Sequence, residues 1–245
     1  MASEDLYQVI FKRRSVRKYA GPLDEGAMDK VRDFMSSLKP MYSGIKTELK
    51  ILSNPEVKGI FKVDAPHFIA FFSEKKEGYL ANAGFMLQQM DLFLSANGIG
   101  SCWQGGPKPI REARYASELE YVILLAFGRP EEELHRKTSG EFKREPSEKI
   151  ASVDGFKELI EPARLAPSGM NNQPWYFSST GKAIDAYSAK SPIVDHMNRI
   201  SVGIALSHLW LAAEHAGMKV TFMSQESKAA DPPRRYSYVA TMVFN

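Results

Sequence analysis

The chain has 245 residues, 44% hydrophobic and 25% charged, enough to bury a core as one large domain or two small ones. Near-average Gly and Pro exclude collagen, low-complexity and wholly disordered chains, and a net charge of +3 is too small for the basic face that nucleic-acid binding requires. The longest uninterrupted apolar stretch, Val122 to Phe127, falls far short of the roughly 20 residues of a bilayer-spanning helix. Glu4, Asp5, Lys12, Arg13 and Arg14 stand before any apolar run, unlike a secretory leader, and the single Cys102 excludes an intramolecular disulfide framework. A cytoplasmic protein in a reducing compartment is expected.

In chain order, Leu6, Val9 and Ile10 suggest a first helix, and at its exit RRSVR gathers Arg13, Arg14, Ser15 and Arg17. Arginine donates bidentately to phosphate oxygens, and like charges this close repel unless an anion or solvent separates them. The run is therefore either a phosphate cradle or a solvated basic helix end that complements the macrodipole. After the turn signal Gly21-Pro22, Glu25 to Leu38 reads as a helix, and Gly78 to Gly100 as a long amphipathic helix ending in glycine.

The next segment is GIGSCWQGGPKP, Gly98 to Pro109. Gly100-Ser101-Cys102-Trp103 matches most of the signature around a papain-type nucleophile, but that signature has its histidine roughly 130 to 150 residues downstream, and none follows His215. The protease reading is discounted. Gly105 and Gly106 instead offer bare backbone N–H groups that a planar ring can approach closely. Tyr121 to Phe127 reads as a strand, and the polar stretch from Gly128 to Lys149 as a linker.

Beyond the linker, Asp154 to Pro167 reads as a short helix, and LAPSGMNNQPWYF combines turn formers with small hydrogen-bonding side chains before a strand that begins at Trp175. Such a loop is either a plain turn or a presenter of amides to a flat polar ligand. His196 to Val220 reads as a second long amphipathic helix, and Tyr236 to Phe244 as a last strand. His67, His135, His196, His208 and His215 show no metal-binding spacing, and GxGxxG, GxxxxGK[ST] and GxSxG are all absent.

The two long helices share one offset: Gly84, Leu87, Leu92 and Gly98 recur 119 positions later as Gly203, Leu206, Leu211 and Gly217. Upstream, Gly26 and Gly155 are separated by 129, which places a ten-residue indel in a loop. A duplication is expected, with residues 1–130 as one half, 131–150 as a basic linker and 151–245 as a truncated second half, packed about a pseudo-twofold axis with ligand sites on the seam.

RRSVRKY, APSGMNNQPW, a long helix ending in GIGSCWQGG, a strand ending in FGRP and the basic tail FKREPSEKI together resemble the flavin-dependent nitroreductase family over most of the chain. The resemblance implies an α+β, three-layer α-β-α fold and FMN as cofactor. In ordinary members the two motifs lie close together in one protomer, and two protomers share two sites. Here Arg17 ends the first motif and Ala166 opens the second, so a fused pseudo-dimer with one surviving site, one flavin per chain and a monomeric state is expected.

Carried over residue by residue, the resemblance implies that Arg13, Arg14 and Ser15 hold the FMN phosphate and ribityl end, and that Arg17 faces the pyrimidine side, where its charge stabilises the reduced ring. It further implies that Pro167, Ser168, Gly169 and Asn171 line the ring, that Gln104, Gly105 and Gly106 supply donors near N5, and that Lys143 and Arg144 reach the phosphate. The implied reaction is ping-pong: NAD(P)H passes hydride to the flavin and leaves, and a nitroaromatic or quinone acceptor takes the same slot. Rival readings keep the fold with another reaction, such as dehydrogenation or dehalogenation, or keep flavin binding without turnover.

Overall fold

The longest apolar run, Val122 to Phe127, lies in the middle of one of two five-stranded sheets in a computed structural model that describes residues 3–115, 117–224 and 234–245. In chain order the elements are α1 (Ser3–Ile10), β1 (Tyr19–Gly21), α2 (Glu25–Ser36), β2 (Thr47–Ser53), β3 (Val57–Lys58), β4 (His67–Ser73), α3 (Tyr79–Ala96), β5 (Gly100–Gln104), β6 (Lys108–Pro109), α4 (Arg111–Tyr115) and β7 (Glu120–Pro130). There follow α5 (Ser147–Ile150), β8 (Ala151–Ser152), α6 (Lys157–Arg164), β9 (Trp175–Thr180), β10 (Ala183–Ala189), α7 (Asp195–His215), β11 (Val220–Met223) and β12 (Tyr236–Phe244). The class is α+β, as expected.

The first sheet runs β1-β7-β4-β2, with β5 also paired to β7. The second runs β11-β12-β10-β9-β8. Setting β1 and β8 aside, the two share one connectivity: β2-β4-β7-β5 in the first matches β9-β10-β12-β11 in the second, all antiparallel. In the central ladders Ile69 stands opposite Leu125 and Ala186 opposite Ala240. Residues of β4 and β7 alternate between two apolar clusters, as the period of two in a strand requires: Ile69, Phe71, Ile123 and Leu125 face the main core, while Phe68, Ala70, Leu124 and Ala126 face a smaller cluster with Val57 and Ala113 of α4.

Each long helix lies on its own sheet, and the two lie on each other. Both were expected to be amphipathic, and both are instead buried all round: α3 from Ala81 to Ser95 and α7 from Ile200 to Ala213. Each is covered by a sheet, by the other long helix, and by shorter helices, α1 and α2 for α3 and α1 and α6 for α7. A helix enclosed on every side has no solvent face to show a polar stripe. The expected glycine ends hold, with Gly98 and Gly217 in the left-handed region at φ +78° and +74°.

Two mid-helix glycines allow this packing. A Cβ on Gly84 would fall 2.1 Å from the carbonyl oxygen of Ile200, and one on Gly203 would fall 2.0 Å from that of Ala81. Only bare backbone permits so close a crossing. Gly84→Ala and Gly203→Ala are each expected to force the helices apart and to cost roughly 1–3 kcal/mol, the usual penalty of overpacking. Urea titration should show a lower midpoint with an unchanged m-value; wild-type midpoints would contradict the crossing.

Candidate functional site: a cationic cavity joined to an apolar one

The chain leaves α1 through Lys12 and Arg13, and this exit is pinned from across the molecule. Arg13 makes an isolated antiparallel bridge with His135, and the Arg136 N–H donates to the Lys12 carbonyl at 2.7 Å. Arg13 is 1% exposed, with its Nε 3.0 Å from Oδ2 of the fully buried Asp91. Burial of both ions is tolerable because Asp91 is further satisfied, accepting from the Ser101 hydroxyl at 2.6 Å and from Gln88 Nε2 at 3.1 Å. Arg14 and Arg17 then turn outward.

The segment expected to be a linker forms a wall. Arg13, Arg14, Ser15 and Arg17 face Arg136, Lys143, Arg144, Pro167, Ser168 and Asn171 across a cavity of about 500 Å³. Six cations line it against a single carboxylate, Glu141, which already accepts from the Lys137 and Thr138 N–H groups. Phe142 lies beneath the guanidinium groups of Arg136 and Arg144, 4.1 and 5.5 Å from its ring centre. Burial, and then the nearby Arg13, push the pKa values of Arg136 and Arg144 down to about 10. Both stay charged at neutral pH; Arg13 is paired with Asp91 and Arg14 reaches Glu132 and Glu133 at 3.7 and 3.8 Å, so the excess positive charge of the cavity rests on Arg17, Arg136, Lys143 and Arg144. The Arg144 Nε is buried without a hydrogen-bond partner among the described residues.

A second cavity of about 310 Å³ adjoins the first and shares Ser15, Arg17, Pro167, Ser168 and Met170 with it. Its other walls are mostly apolar side chains and bare backbone, namely Trp103, Gly105 and Gly106, Gly169, Ile123 and a face of α7 formed by Met197, Ile200, Ser201 and Ile204, with Asn172 and Asn198 as further polar members. Arg17 is the sole charged group among these lining residues. A Cβ on Gly105 would lie 2.7 Å from the Met197 methyl, so the backbone there closes directly onto α7.

The loop after α6 carries backbone strain: Met170, Asn171 and Gln173 have φ of 49°, 60° and 47°. It is held there by hydrogen bonds to the basic wall. Asn171 Nδ2 donates to the Lys143 carbonyl at 2.8 Å, Arg144 donates to Asn171 Oδ1, and the Glu145 N–H donates to Gln173 Oε1 at 2.7 Å.

The expected site residues thus meet, with two differences of place. Asn171 lies in the cationic cavity with its amide committed to Lys143 and Arg144, and its neighbour Asn172 lines the apolar one. Gln104 is 5% exposed with its amide turned away, accepting from the Val63 N–H at 3.1 Å and donating to the Trp103 carbonyl at 3.0 Å. Cys102 touches the apolar cavity, but burial pushes its thiol pKa up, which disfavours a nucleophilic thiolate. Sequence reasoning missed Arg136 and the α7 face. The face was legible, because Met197, Ile200, Ser201 and Ile204 follow the i, i+3, i+4, i+7 spacing of one helical stripe.

A cationic pocket that opens into a largely apolar, glycine-walled slot matches in shape and charge a flat ring that carries an anionic tail. Residues 5–213 match the model of the family described as "Putative TM nitroreductase", and the chain belongs to that nitroreductase family, a group of oxidoreductases. A structure from Thermotoga maritima, titled as a "putative nitroreductase", is similar with a TM-score of 0.65 at 22% identity, over 100% of this chain and 94% of that one. A nitroreductase family protein from Clostridium difficile 630 gives a TM-score of 0.48 at 20% identity, over 60% of this chain and 96% of its own. An FMN-dependent nitroreductase from Clostridium difficile R20291 gives 0.45 at 19%, over 55% and 93%. No curated protein matches the chain. Among the described residues, no helix is long and apolar enough to cross a membrane.

On α7, where it meets Pro162 of α6, burial pushes the His208 pKa down to about 3, against roughly 6.5 in the unfolded chain. Because the folded state resists a proton that the unfolded state accepts, stability should fall as pH drops from about 6.5 toward 3. His208→Leu is expected to flatten that acid limb by up to roughly 1.4 kcal/mol per pH unit. Denaturant titrations from pH 7 to 4 measure this, and identical slopes would refute it.

Proposed function

We propose that the chain is an FMN-dependent oxidoreductase that takes hydride from NAD(P)H and reduces nitroaromatic or quinone-type acceptors. The observation that carries this reading is the shared wall of the two cavities, where an arginine-rich pocket of phosphate character opens directly into an apolar slot of ring character. When bound, the flavin supplies the redox chemistry, accepting hydride from the nicotinamide and passing electrons to the acceptor in a ping-pong cycle.

The chain's own residues hold and shape. Arg14, Lys143 and Arg144 would hold the phosphate, with Arg13 fixed behind them by Asp91. The fit is supported by the repulsion that Arg136 and Arg144 feel from neighbouring cations and by the orphaned Arg144 Nε, both of which an anion satisfies. Gly105, Gly106 and Gly169 present backbone without side chains to a ring, and Ile123, Ile200 and Ile204 exclude water from it. Arg17, facing both cavities, would favour negative charge on the ring. Positioning and electrostatics suffice for such chemistry, in keeping with a lining that offers no acid–base or nucleophilic constellation.

The same reading covers the organisation of the chain. We take residues 1–130 and 151–245 as two descendants of one unit, joined through 131–150 and working as a monomer with one flavin. The crossing glycines support it: Gly84 meets Ile200 and Gly203 meets Ala81, and each pair of equivalents stands 119 apart, the reciprocal contact of an isologous pair. The shared strand connectivity supports it too. At the place equivalent to the apolar slot, Ile204 and Trp103 are replaced by Phe85 and Phe222, which pack edge to face at 5.2 Å and fill the space.

The purified protein is expected to be yellow, with a flavin-to-chain ratio near one; a colourless protein that resists reconstitution with FMN would refute the cofactor. Arg14→Ala and Lys143→Ala should each weaken FMN roughly 10- to 100-fold, the worth of one charge-assisted hydrogen bond. Riboflavin, which lacks the phosphate, should bind these variants as it binds the wild type. Equal losses for both ligands would contradict the placement of the phosphate.

A further inference from the structure

We infer that Gln88 is a positioning residue for both cavities, its one side-chain amide orienting the Asp91 carboxylate behind Arg13 and the Trp103 ring beside the apolar slot. The inference rests on the flavin reading of the cleft and assigns a role to a residue that lines neither cavity.

Gln88 is fully buried in the middle of α3. Its Nε2 lies 3.1 Å from Asp91 Oδ2 and 2.9 Å from His208 Nε2, and its Oε1 accepts from the Trp103 indole N–H at 3.2 Å. The chemistry of the partners leaves one arrangement. An indole N–H only donates and a carboxylate only accepts, so the amide oxygen must face Trp103 and the nitrogen must face Asp91. The second amide hydrogen then points at His208, whose Nε2 must accept, and whose Nδ1–H donates to the Pro162 carbonyl at 2.9 Å. Burial keeps that imidazole neutral, as an acceptor must be.

The chain of bonds from Pro162 through His208 and Gln88 reaches Arg13 on one branch and Trp103 on the other. The helix crossing does not require it. At the positions 119 residues further on stand Ser207, Trp210 and Phe222 in place of Gln88, Asp91 and Trp103, and the buried Ser207 hydroxyl has no hydrogen-bond partner among the described residues. Among the described residues the polar chain exists on the cleft side alone, where a side chain at each end, Arg13 and Trp103, lines a cavity.

The test uses the apo protein labelled at the indole nitrogens, with Trp103→Phe identifying the Trp103 resonance, alongside FMN titrations. Gln88→Met keeps the length and removes every hydrogen bond. It is expected to move the Trp103 resonance and to weaken FMN at least tenfold. Gln88→Glu keeps the acceptor for Trp103, so the resonance should stay near its wild-type position, but sets a carboxylate against Asp91 and His208. Protonation of the introduced carboxylate or of the facing His208 would relieve that repulsion, so the FMN affinity of the Gln88→Glu variant relative to wild type should rise several-fold from pH 8 to pH 6.

An unmoved resonance or undiminished FMN affinity in Gln88→Met overturns the inference, as does weakened FMN binding with the resonance unmoved, which marks general loosening. If Gln88→Met does not fold, Gln88→Glu decides, and a flat affinity ratio across pH overturns the inference. Wild-type protein that binds no FMN at all would sink the flavin reading instead, while the indole resonance would still report on Gln88.

Discussion

The crossing of α3 and α7 at Gly84 and Gly203 is the constraint on which the remaining structure depends. With backbone against backbone, each helix can be covered on every side, and α1 can pack against both at once. That seat for α1 delivers Arg13 to Asp91, and α6, packed on α7, delivers the loop from Leu165 to Gln173 to the same place. The apolar slot itself is floored by α7 from Met197 to Ile204, the segment that includes the contact with Gly84. A side chain at either glycine would separate the walls of the cleft as well as the helices.

Polar groups within this helical layer are costly unless complete. An ion buried at the Arg13–Asp91 pair carries a desolvation penalty of several kcal/mol, comparable with the roughly 1.5–3 kcal/mol gained by burying one large apolar side chain. The pair survives because Ser101 and Gln88 complete the carboxylate. In the cationic cavity the balance is left open: Arg136 and Arg144 are partly desolvated beside other cations, and Glu141 is occupied by backbone N–H groups. Folding holds these charges together through Phe142, Asn171 and the Arg136 contact to the Arg13 carbonyl. Repulsion retained in the free protein adds to the affinity for an anion, since binding removes it.

Much of this was legible in the chain. RRSVR and APSGMNNQPW stand out because each is contiguous and chemically unusual, and contiguous residues stay together whatever the fold. The long helices and the strands at Tyr121 and Tyr236 followed from periodicity, and the offset of 119 picked out Gly84 and Gly203, the two glycines at which the helices cross. The amphipathic reading of the long helices failed because periodicity reports a solvent face, and these helices have none. Asn171 was misplaced for a different reason: an amide offers the same groups to a ligand or to a neighbouring carbonyl, and Lys143 and Arg144 reached it first. Gln104 likewise found Val63, from a loop 41 residues earlier in the chain.

The two long helices with their glycine ends, the strands at Tyr121 to Phe127 and Tyr236 to Phe244, the family resemblance and the two unusual motifs could be read from the chain, because these depend on local spacing and on the chemistry of neighbouring residues. Tertiary structure alone decided that Ser15 and Ser168 share a wall, that the supposed linker supplies Arg136, and that Gln88 must face its oxygen toward Trp103. Those facts depend on pairings between positions as far as 153 residues apart, which arise only when distant segments pack together and their buried polar groups seek partners across the fold.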